Sequence, residues 1–167
     1  TLLRLVSLRL RDEVGKMGRV GRLGGDEFQV VLPSTSSKED LAKLAQGIID
    51  NLSRPYTING TAVSIGASVG IVTSDYDDRT SDDLMRDADL ALYAAKAAGK
   101  GCFRFFAPEM HETARERQRM ESDLRVALEK GQLRVVFQPS VDASSEAVTG
   151  FEALIRWDHP EHGPVSP

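Results

Sequence analysis

The sequence predicts a mixed α/β (α+β) fold in which helices pack against a sheet. Stretches with apolar residues at helical spacing alternate with short β-branched runs along most of the chain, and such alternation is typical of α/β sandwiches. Hydrophobic residues make up 41% and charged residues 28% of the 167 residues, which is ordinary for a globular chain with a packed core. Because this length corresponds to about one domain of usual size, a second unit must be partial.

The first predicted elements are a helix and a hairpin. Apolar residues recur on one helical face from Leu2 to Leu10, and the pattern ends at Gly15. Two short β-type runs then occupy residues 19–32, on either side of Gly24-Gly25. A Gly-Gly pair between such runs predicts a hairpin turn, because both residues tolerate positive φ.

Two further helices and several strands follow. A capping-box pattern begins at Ser36, and the helical repeat after it runs as far as Pro55. Residues 56–73 are β-branched around Asn59-Gly60, which predicts a hairpin or a long strand pair. Thr80 or Ser81 opens a third helix with acidic residues in its first turn. That helix closes at Gly99, and a short apolar strand occupies residues 102–106.

The composition changes after Pro108. Residues 111–119 alternate acid and base, and a one-sided apolar stripe then continues to Gly131, which predicts a linker helix that enters a new domain. Residues 132–141 and residues 147–157 are then predicted as two strands, with a turn between them at Ser144-Ser145. Residues 158–167 are predicted as a closing loop.

Charge and composition exclude several classes of protein. The 21 Lys and Arg residues against 25 Asp and Glu, net charge −4, give no strong positive field to attract a nucleic-acid polymer. The longest nearly apolar run, Ala62–Val72, is shorter than the roughly 18 residues that span a membrane. Cys102 is the only cysteine, so no intrachain disulfide forms, which fits a reducing compartment. We therefore expect a cytoplasmic location, with any membrane anchor upstream in a longer parent.

The strongest motif is Arg22-Leu-Gly-Gly-Asp-Glu-Phe28. Glycines let a backbone approach phosphate oxygens closely, and adjacent carboxylates at a turn can hold Mg²⁺, which prefers oxygen ligands. Lys96 and Lys100 lie one helical turn apart and can meet phosphates. The alternatives are a surface hairpin with solubilising acidic residues, and lysines that complement the dipole at a helix C-terminus.

Together these motifs resemble those of the GGDEF family, the diguanylate cyclases. The hairpin motif and the later stretch Ala88–Lys100 fit the family in order and spacing, and the resemblance covers residues 1–107. It implies a nucleotidyl-cyclase-like sheet with flanking helices. It also implies condensation of two GTP into cyclic di-GMP, with Mg²⁺ or Mn²⁺, by a homodimer in which each subunit carries one GTP. The implied roles are metal ligation by Asp26, metal or proton assistance by Glu27, phosphate access at Gly24 and Gly25, and distal-phosphate binding by Lys96 and Lys100.

The chain also departs from the family pattern. In the family, a central strand with a further metal-binding Asp and the guanine-recognising side chains would precede residue 1, so we expect a truncated sheet and no activity from residues 1–167 alone. The family's product-inhibition motif, Arg-x-x-Asp, would end five residues before the paired glycines. Gly15 and Gly18 stand at those positions, so we expect no product binding there.

Three stretches of the second part form a further motif: Val136–Pro139, Gly150–Trp157 and Trp157–Gly163. They resemble the opening of an EAL domain, the cyclic di-GMP phosphodiesterase family. The resemblance implies that Gln138 and Arg156 contact the dinucleotide and that Glu152 is a metal ligand, on the first β-hairpin of an incomplete TIM-like barrel.

The predicted organisation is a GGDEF domain over residues 1–107 that lacks its N-terminal strand and helix, a linker helix over 108–116, and the start of an EAL domain over 117–167. The predicted function is that of a piece of a bifunctional protein that makes and hydrolyses cyclic di-GMP. The alternative is a catalytically inactive module that binds GTP or cyclic di-GMP as a sensor or scaffold. The intact Gly-Gly-Asp-Glu-Phe sequence favours the enzyme.

Two other patterns carry weaker hypotheses. Gly66–Gly70 fits the Gly-x-Ser-x-Gly pattern of hydrolases, but a nucleophile elbow needs a strand that turns into a helix, and the β pattern continues to Val72. His159 and His162 are three residues apart and could share a metal ion. Solvated histidines in the predicted closing loop are the favoured interpretation.

Overall fold

The computed structural model describes residues 2–33, 37–74 and 79–165. The chain divides into two compact units, residues 1–111 and residues 112–167. The helices are α1 (Leu2–Val14), α2 (Lys38–Ser53), α3 (Ser81–Ala97) and α4 (Glu109–Glu129). The strands are β1 (Arg19–Gly24), β2 (Glu27–Val31), β3 (Tyr56–Ile58), β4 (Thr61–Val63), β5 (Val69–Ile71), β6 (Phe103–Phe105), β7 (Leu133–Val141), β8 (Val148–His159) and β9 (Gly163–Val165).

The first unit combines three small sheets with helices, as the predicted α/β class requires. β1 pairs antiparallel with β2, β3 pairs antiparallel with β4, and β5 pairs parallel with β6. These pairs are separate two-stranded sheets. The hydrogen-bonded sheets of the described residues therefore do not join β2 to β5.

The strand prediction for residues 56–73 was only partly right. Asn59 and Gly60 both have positive φ and connect β3 to β4, as expected for a type I′ hairpin. β5, however, pairs with β6 and not with that hairpin. Parallel partners need a crossover connection, and α3 supplies it. The β-branched composition of residues 56–73 could not distinguish a local partner from one about thirty residues away.

The core of the first unit lies where α1 and α2 meet. Its buried residues are Val6, Leu10, Val14, Ile48, Leu52 and Tyr56. Arg9 lies over the ring of Tyr56, with the guanidinium carbon 3.7 Å from the ring centroid. The same side chain donates hydrogen bonds to the backbone carbonyls of Asn51, Arg54 and Pro55. One arginine thus satisfies the carbonyls of Arg54 and Pro55 directly after α2 and gives the Asn51 carbonyl a second donor besides the Arg54 N–H.

The caps of α2 and α3 show how local sequence sets helix ends. The predicted capping residue Ser36 lies outside the described residues, and the structure instead places Ser37 at the N-cap of α2, where its hydroxyl accepts from the backbone N–H of Asp40. Thr80 caps α3 in a full capping box with Asp83, so that prediction is confirmed. Across the described ranges, no helix combines the length and apolar character needed to cross a bilayer.

The second unit carries most of α4 and a three-stranded antiparallel sheet in the order β7-β8-β9. α4 covers the predicted linker helix and continues past residue 117, as the apolar stripe up to Gly131 indicated. The loop predicted from residue 158 begins instead with the end of β8 and includes β9, because strand pairing stabilises residues that a Pro/Gly composition assigned to a loop.

Candidate functional site

The hairpin motif lies at an exposed two-residue turn. Gly24 pairs with Glu27 across the hairpin, so the turn consists of Gly25 and Asp26, one residue later than the glycine pair predicts. Gly25 has φ +48°, a conformation that side chains disfavour. All four residues are exposed. The glycines therefore present bare backbone to solvent directly beside two carboxylates.

An arginine from the same motif holds this turn. The Nε and Nη2 atoms of Arg22 both donate to the backbone oxygen of Gly25, at 3.1 and 2.7 Å. The register of the hairpin shifts between Arg22 and Gly24, so Leu23 lies at a bulge. Sequence reasoning included Arg22 in the motif but gave it no role, because the contact depends on this bulge.

The two carboxylates of the turn suit a hard cation. Mg²⁺ is usually held by one or two protein carboxylates, with substrate phosphates and water completing the shell. Asp26 and Glu27 are consecutive, exposed and next to two exposed glycines, which fits that pattern. Within the described residues, no group of three or more His, Cys, Asp or Glu side chains converges as a preformed metal site. A cation here would therefore depend on the ligand for its remaining oxygens.

The predicted phosphate-binding lysines lie at the end of α3. Lys96 is in the last turn of α3, and Lys100 follows with φ +63°. Both are exposed. In the described part of the chain, no ion pair joins either lysine to Asp26 or Glu27, so their convergence on one triphosphate stays a prediction.

Two residues of the Gly-x-Ser-x-Gly pattern, Ser68 and Gly70, lie where β5 packs against α3 and the turn after it. A Cβ on Gly70 would overlap the carbonyl oxygen of Ala88 and the amide nitrogen of Leu92, so β5 meets α3 backbone to backbone. The hydroxyl of Ser68 accepts a hydrogen bond from the backbone N–H of Gly101, at 3.2 Å. These residues tie β5 to α3 and to the turn after it, which is a packing role and agrees with the rejection of hydrolase chemistry.

Gly18 and Gly15 occupy the positions expected for product inhibition. A Cβ on Gly18 would lie 2.5 Å from both the Leu32 side chain and the Val31 carbonyl oxygen. Gly15 has φ +55° and donates its N–H to the Arg11 carbonyl at the end of α1. The local packing therefore leaves no room for an Asp at position 18 without a shift of β2.

In the second unit, the three predicted site residues lie on one face of the β7–β8 hairpin. Gln138 pairs directly with Glu152, and Arg156 pairs with Arg134. Successive residues of a strand alternate between faces, so these four positions share a face. Arg134 also bonds Asp158, with Nε 2.9 Å from Oδ2. Sequence reasoning missed Arg134, although the alternation within β7 places it four residues before Gln138.

His159 is not the solvated loop residue that was expected. It is 7% exposed, and its Nδ1 accepts the backbone N–H groups of Glu161 and His162, both at 3.1 Å. Its Nε2 lies 3.4 Å from Oδ2 of Asp123. Both ring nitrogens are therefore engaged within the protein, which argues against a metal shared by His159 and His162.

A buried ionic cluster of the first unit was also missed. The carboxylate of Asp87, which is 1% exposed, is ion-paired with Arg79 and lies 2.9 Å from Nε2 of His111. Phe106 stacks edge-on with His111. Asp87 and His111 are more than twenty residues apart, so no local pattern could have paired them.

Two family models match the chain. A model of the diguanylate cyclase GGDEF domain matches residues 1–102, and a model of the EAL domain matches residues 121–167. The chain belongs to the GGDEF family. Its GGDEF domain is followed by the start of an EAL domain, as the two resemblances in the sequence had indicated.

The chain is also similar to curated bacterial proteins. It is 41% identical over 162 residues to MucR of Pseudomonas aeruginosa, a bifunctional diguanylate cyclase/cyclic di-GMP phosphodiesterase, with 97% of this chain and 24% of MucR covered. It is 39% identical over 166 residues to PdeR of Escherichia coli, a cyclic di-GMP phosphodiesterase, with 99% of this chain and 25% of PdeR covered. The chain thus spans a quarter or less of these two relatives.

Solved structures confirm the fold. A truncated TpbB (YfiN) of Pseudomonas aeruginosa that comprises only the GGDEF domain aligns with a TM-score of 0.64 and 31% identity, over 69% of this chain and 67% of that one. The S helix-GGDEF-EAL part of Vibrio cholerae LapD aligns over 98% of this chain and 37% of that one, with a TM-score of 0.52 and 16% identity. The second likeness concerns the fold alone.

Proposed function

We propose that this chain serves the turnover of cyclic di-GMP. Its GGDEF domain would bind GTP with Mg²⁺ or Mn²⁺ and condense two GTP molecules when two copies of the domain face each other. The observation that carries the proposal is the turn at Gly25 and Asp26, where bare backbone and two exposed carboxylates occur together. The relatives that make or hydrolyse cyclic di-GMP support the same function.

In the proposed reaction, the 3′-hydroxyl of each GTP attacks the α-phosphorus of the other, and pyrophosphate leaves. The metal would neutralise charge on the phosphates. Asp26 would hold it, with Glu27 as a second carboxylate or a proton acceptor. Gly24 and Gly25 would let the phosphates reach the backbone, because a Cβ at either position would project into the space beside them. Catalysis of this kind consists of positioning and charge stabilisation, which suits a site without a protein nucleophile.

Lys96 and Lys100 complete the proposed GTP site. Each ammonium group is exposed and free to turn towards a β- or γ-phosphate. Since α3 packs against β5 backbone to backbone at Gly70, the last turn of α3, which carries Lys96, has a defined position in the first unit. A lysine at a defined position loses less entropy on binding than one on a mobile segment.

We further propose that the EAL part contributes to binding and hydrolysis of cyclic di-GMP. Gln138 and Arg156 would contact the dinucleotide, and Glu152 would be a metal ligand. The support is their common face on the β7–β8 hairpin, where Gln138 and Glu152 are direct cross-strand partners. A carboxylate, an amide and a guanidinium on one face offer metal ligation, hydrogen bonding and phosphate recognition together.

The test for the GGDEF domain uses Asp26→Asn in the full-length gene product, with Asp12→Asn as a control at an exposed position of α1. GTP consumption and cyclic di-GMP formation are followed by chromatography with Mg²⁺ present. We expect Asp26→Asn to lower the rate at least about a hundredfold, because metal stabilisation of phosphoryl transfer is worth several kcal/mol. A wild-type rate in Asp26→Asn would contradict the proposed metal ligand.

The test for the EAL part uses Glu152→Gln, with Glu161→Gln as the control. Hydrolysis of cyclic di-GMP should be lost in Glu152→Gln and retained in the control. If the unaltered protein binds GTP or cyclic di-GMP but turns over neither, the inactive sensor or scaffold replaces the enzyme as the proposed function.

A further inference from the structure

We propose that Arg22 is a positioning residue for the bound metal nucleotide, an inference that rests on the proposed GTP site. Its guanidinium donates twice to one acceptor, the Gly25 carbonyl oxygen, at 3.1 and 2.7 Å. That carbonyl belongs to the turn that presents Asp26. Arg22 thereby controls the orientation of the peptide group between the glycine and the carboxylate residue.

The hydrogen bonds from Arg22 also fix the direction of the Asp26 N–H. The Gly25–Asp26 peptide is trans, so its N–H points opposite to its C=O. Because the carbonyl is directed at Arg22, the Asp26 N–H is directed away from the guanidinium, to the open side of the turn. This peptide could otherwise rotate about the Cα–C bond of Gly25, because a residue without a Cβ has few steric restrictions on its backbone. Arg22 therefore selects one peptide orientation, and with it the direction in which the Asp26 amide and side chain are offered.

An arginine suits this role better than a lysine. The two contacts use Nε and Nη2, which sit on one edge of a planar group, and leave the other N–H donors of the guanidinium available. A lysine ammonium carries the same charge but cannot grip the carbonyl with two nitrogens in a fixed plane. Arg22→Lys therefore keeps the positive charge near a phosphate but removes the two-nitrogen contact that orients the turn, so it distinguishes the two effects.

The experiment compares Arg22→Ala and Arg22→Lys with Arg19→Ala, which removes an exposed arginine from the same strand. In the full-length gene product, cyclase assays give kcat, KM for GTP and the Mg²⁺ concentration at half-maximal rate. We expect both Arg22 variants to raise KM and the Mg²⁺ requirement about tenfold, the loss caused by removing one charge-assisted hydrogen bond. Arg19→Ala should match the unaltered protein.

A measurement without nucleotide tests the same point directly. In ¹⁵N relaxation experiments on this chain, the Gly25 and Asp26 amides should be more mobile in Arg22→Ala and in Arg22→Lys than in the unaltered chain or in Arg19→Ala. Unchanged mobility overturns the proposed positioning.

The kinetic results also test the proposed role of Arg22. A lower kcat with unchanged KM and Mg²⁺ requirement would indicate a merely structural role and overturn the proposal. Full rescue by Arg22→Lys would indicate a charge effect and overturn it as well. If the unaltered gene product neither binds nor consumes GTP, the proposed GTP site fails and this inference fails with it. That result is distinguishable because it concerns the protein without any substitution.

Discussion

Gly70→Ala is predicted to destabilise the first unit through the contact between β5 and α3. A Cβ at this position would overlap the Ala88 carbonyl oxygen and the Leu92 amide nitrogen and would lie 2.9 Å from the Leu92 Cα. These are backbone atoms of one helix, so no side chain can move aside. To remove this overlap, the whole of α3 must move away from β5.

The magnitude follows from opposing effects. Overpacking of a close contact costs about 1–3 kcal/mol, and because only backbone atoms would have to move, Gly70→Ala should cost about 3 kcal/mol. Alanine also lowers the conformational entropy of the unfolded chain, which stabilises the folded state by about 0.4–1 kcal/mol. The net destabilisation is therefore about 2–2.5 kcal/mol. With a urea m-value of about 2 kcal/mol/M, the midpoint of unfolding should fall by about 1 M.

Gly66→Ala is the matched control, because a Cβ there would meet nothing within 4 Å. Urea unfolding followed by far-ultraviolet circular dichroism gives the midpoints, and hydrogen exchange of α3 peptides reports whether the helix is loosened. Gly66→Ala should unfold at the same urea concentration as the unaltered chain or slightly higher. Equal midpoints for Gly70→Ala and Gly66→Ala would refute the argument, as would normal exchange in α3 of Gly70→Ala.

Three further predictions concern polar contacts. Arg9→Ala should lower the free energy of unfolding by about 2 kcal/mol, because the carbonyls of Arg54 and Pro55 lose their charged donor and the Asn51 carbonyl loses one of two donors. Calorimetry checks this, and an unchanged unfolding temperature contradicts it. Asp87→Ala should lower the free energy of unfolding by about 3 kcal/mol, since it leaves the partly buried Arg79 without its ion-pair partner. A decrease of only a few tenths of a kcal/mol in urea unfolding would show that the ion pair is dispensable. Hydrogen bonds from Thr80 lower the pKa of Asp83 below its usual 3.8, so its stabilisation of α3 is complete above that pH and is lost as pH falls through the lowered value. Helicity measured against pH should show this loss, and Asp83→Asn should abolish it.

The amino-acid sequence by itself determined the elements whose causes are local. The capping box at Thr80 and the turn at Asn59-Gly60 depend on residues a few positions apart, and the structure has both. The family and the fold class were likewise readable, because the Gly-Gly-Asp-Glu-Phe motif and the lysine-bearing helix are contiguous stretches whose residues and spacing do not depend on knowing the fold.

Only the tertiary structure decided the features that depend on distant partners. The parallel pairing of β5 with β6, the burial of Asp87 beside His111 and the cross-strand pairing of Arg134 with Arg156 join residues more than twenty positions apart. His159 was misassigned for the same reason, since its burial depends on contacts with other elements of the second unit. Hydrophobic period and turn chemistry are local quantities, whereas pairing and burial are decided by which segments exclude water from one another.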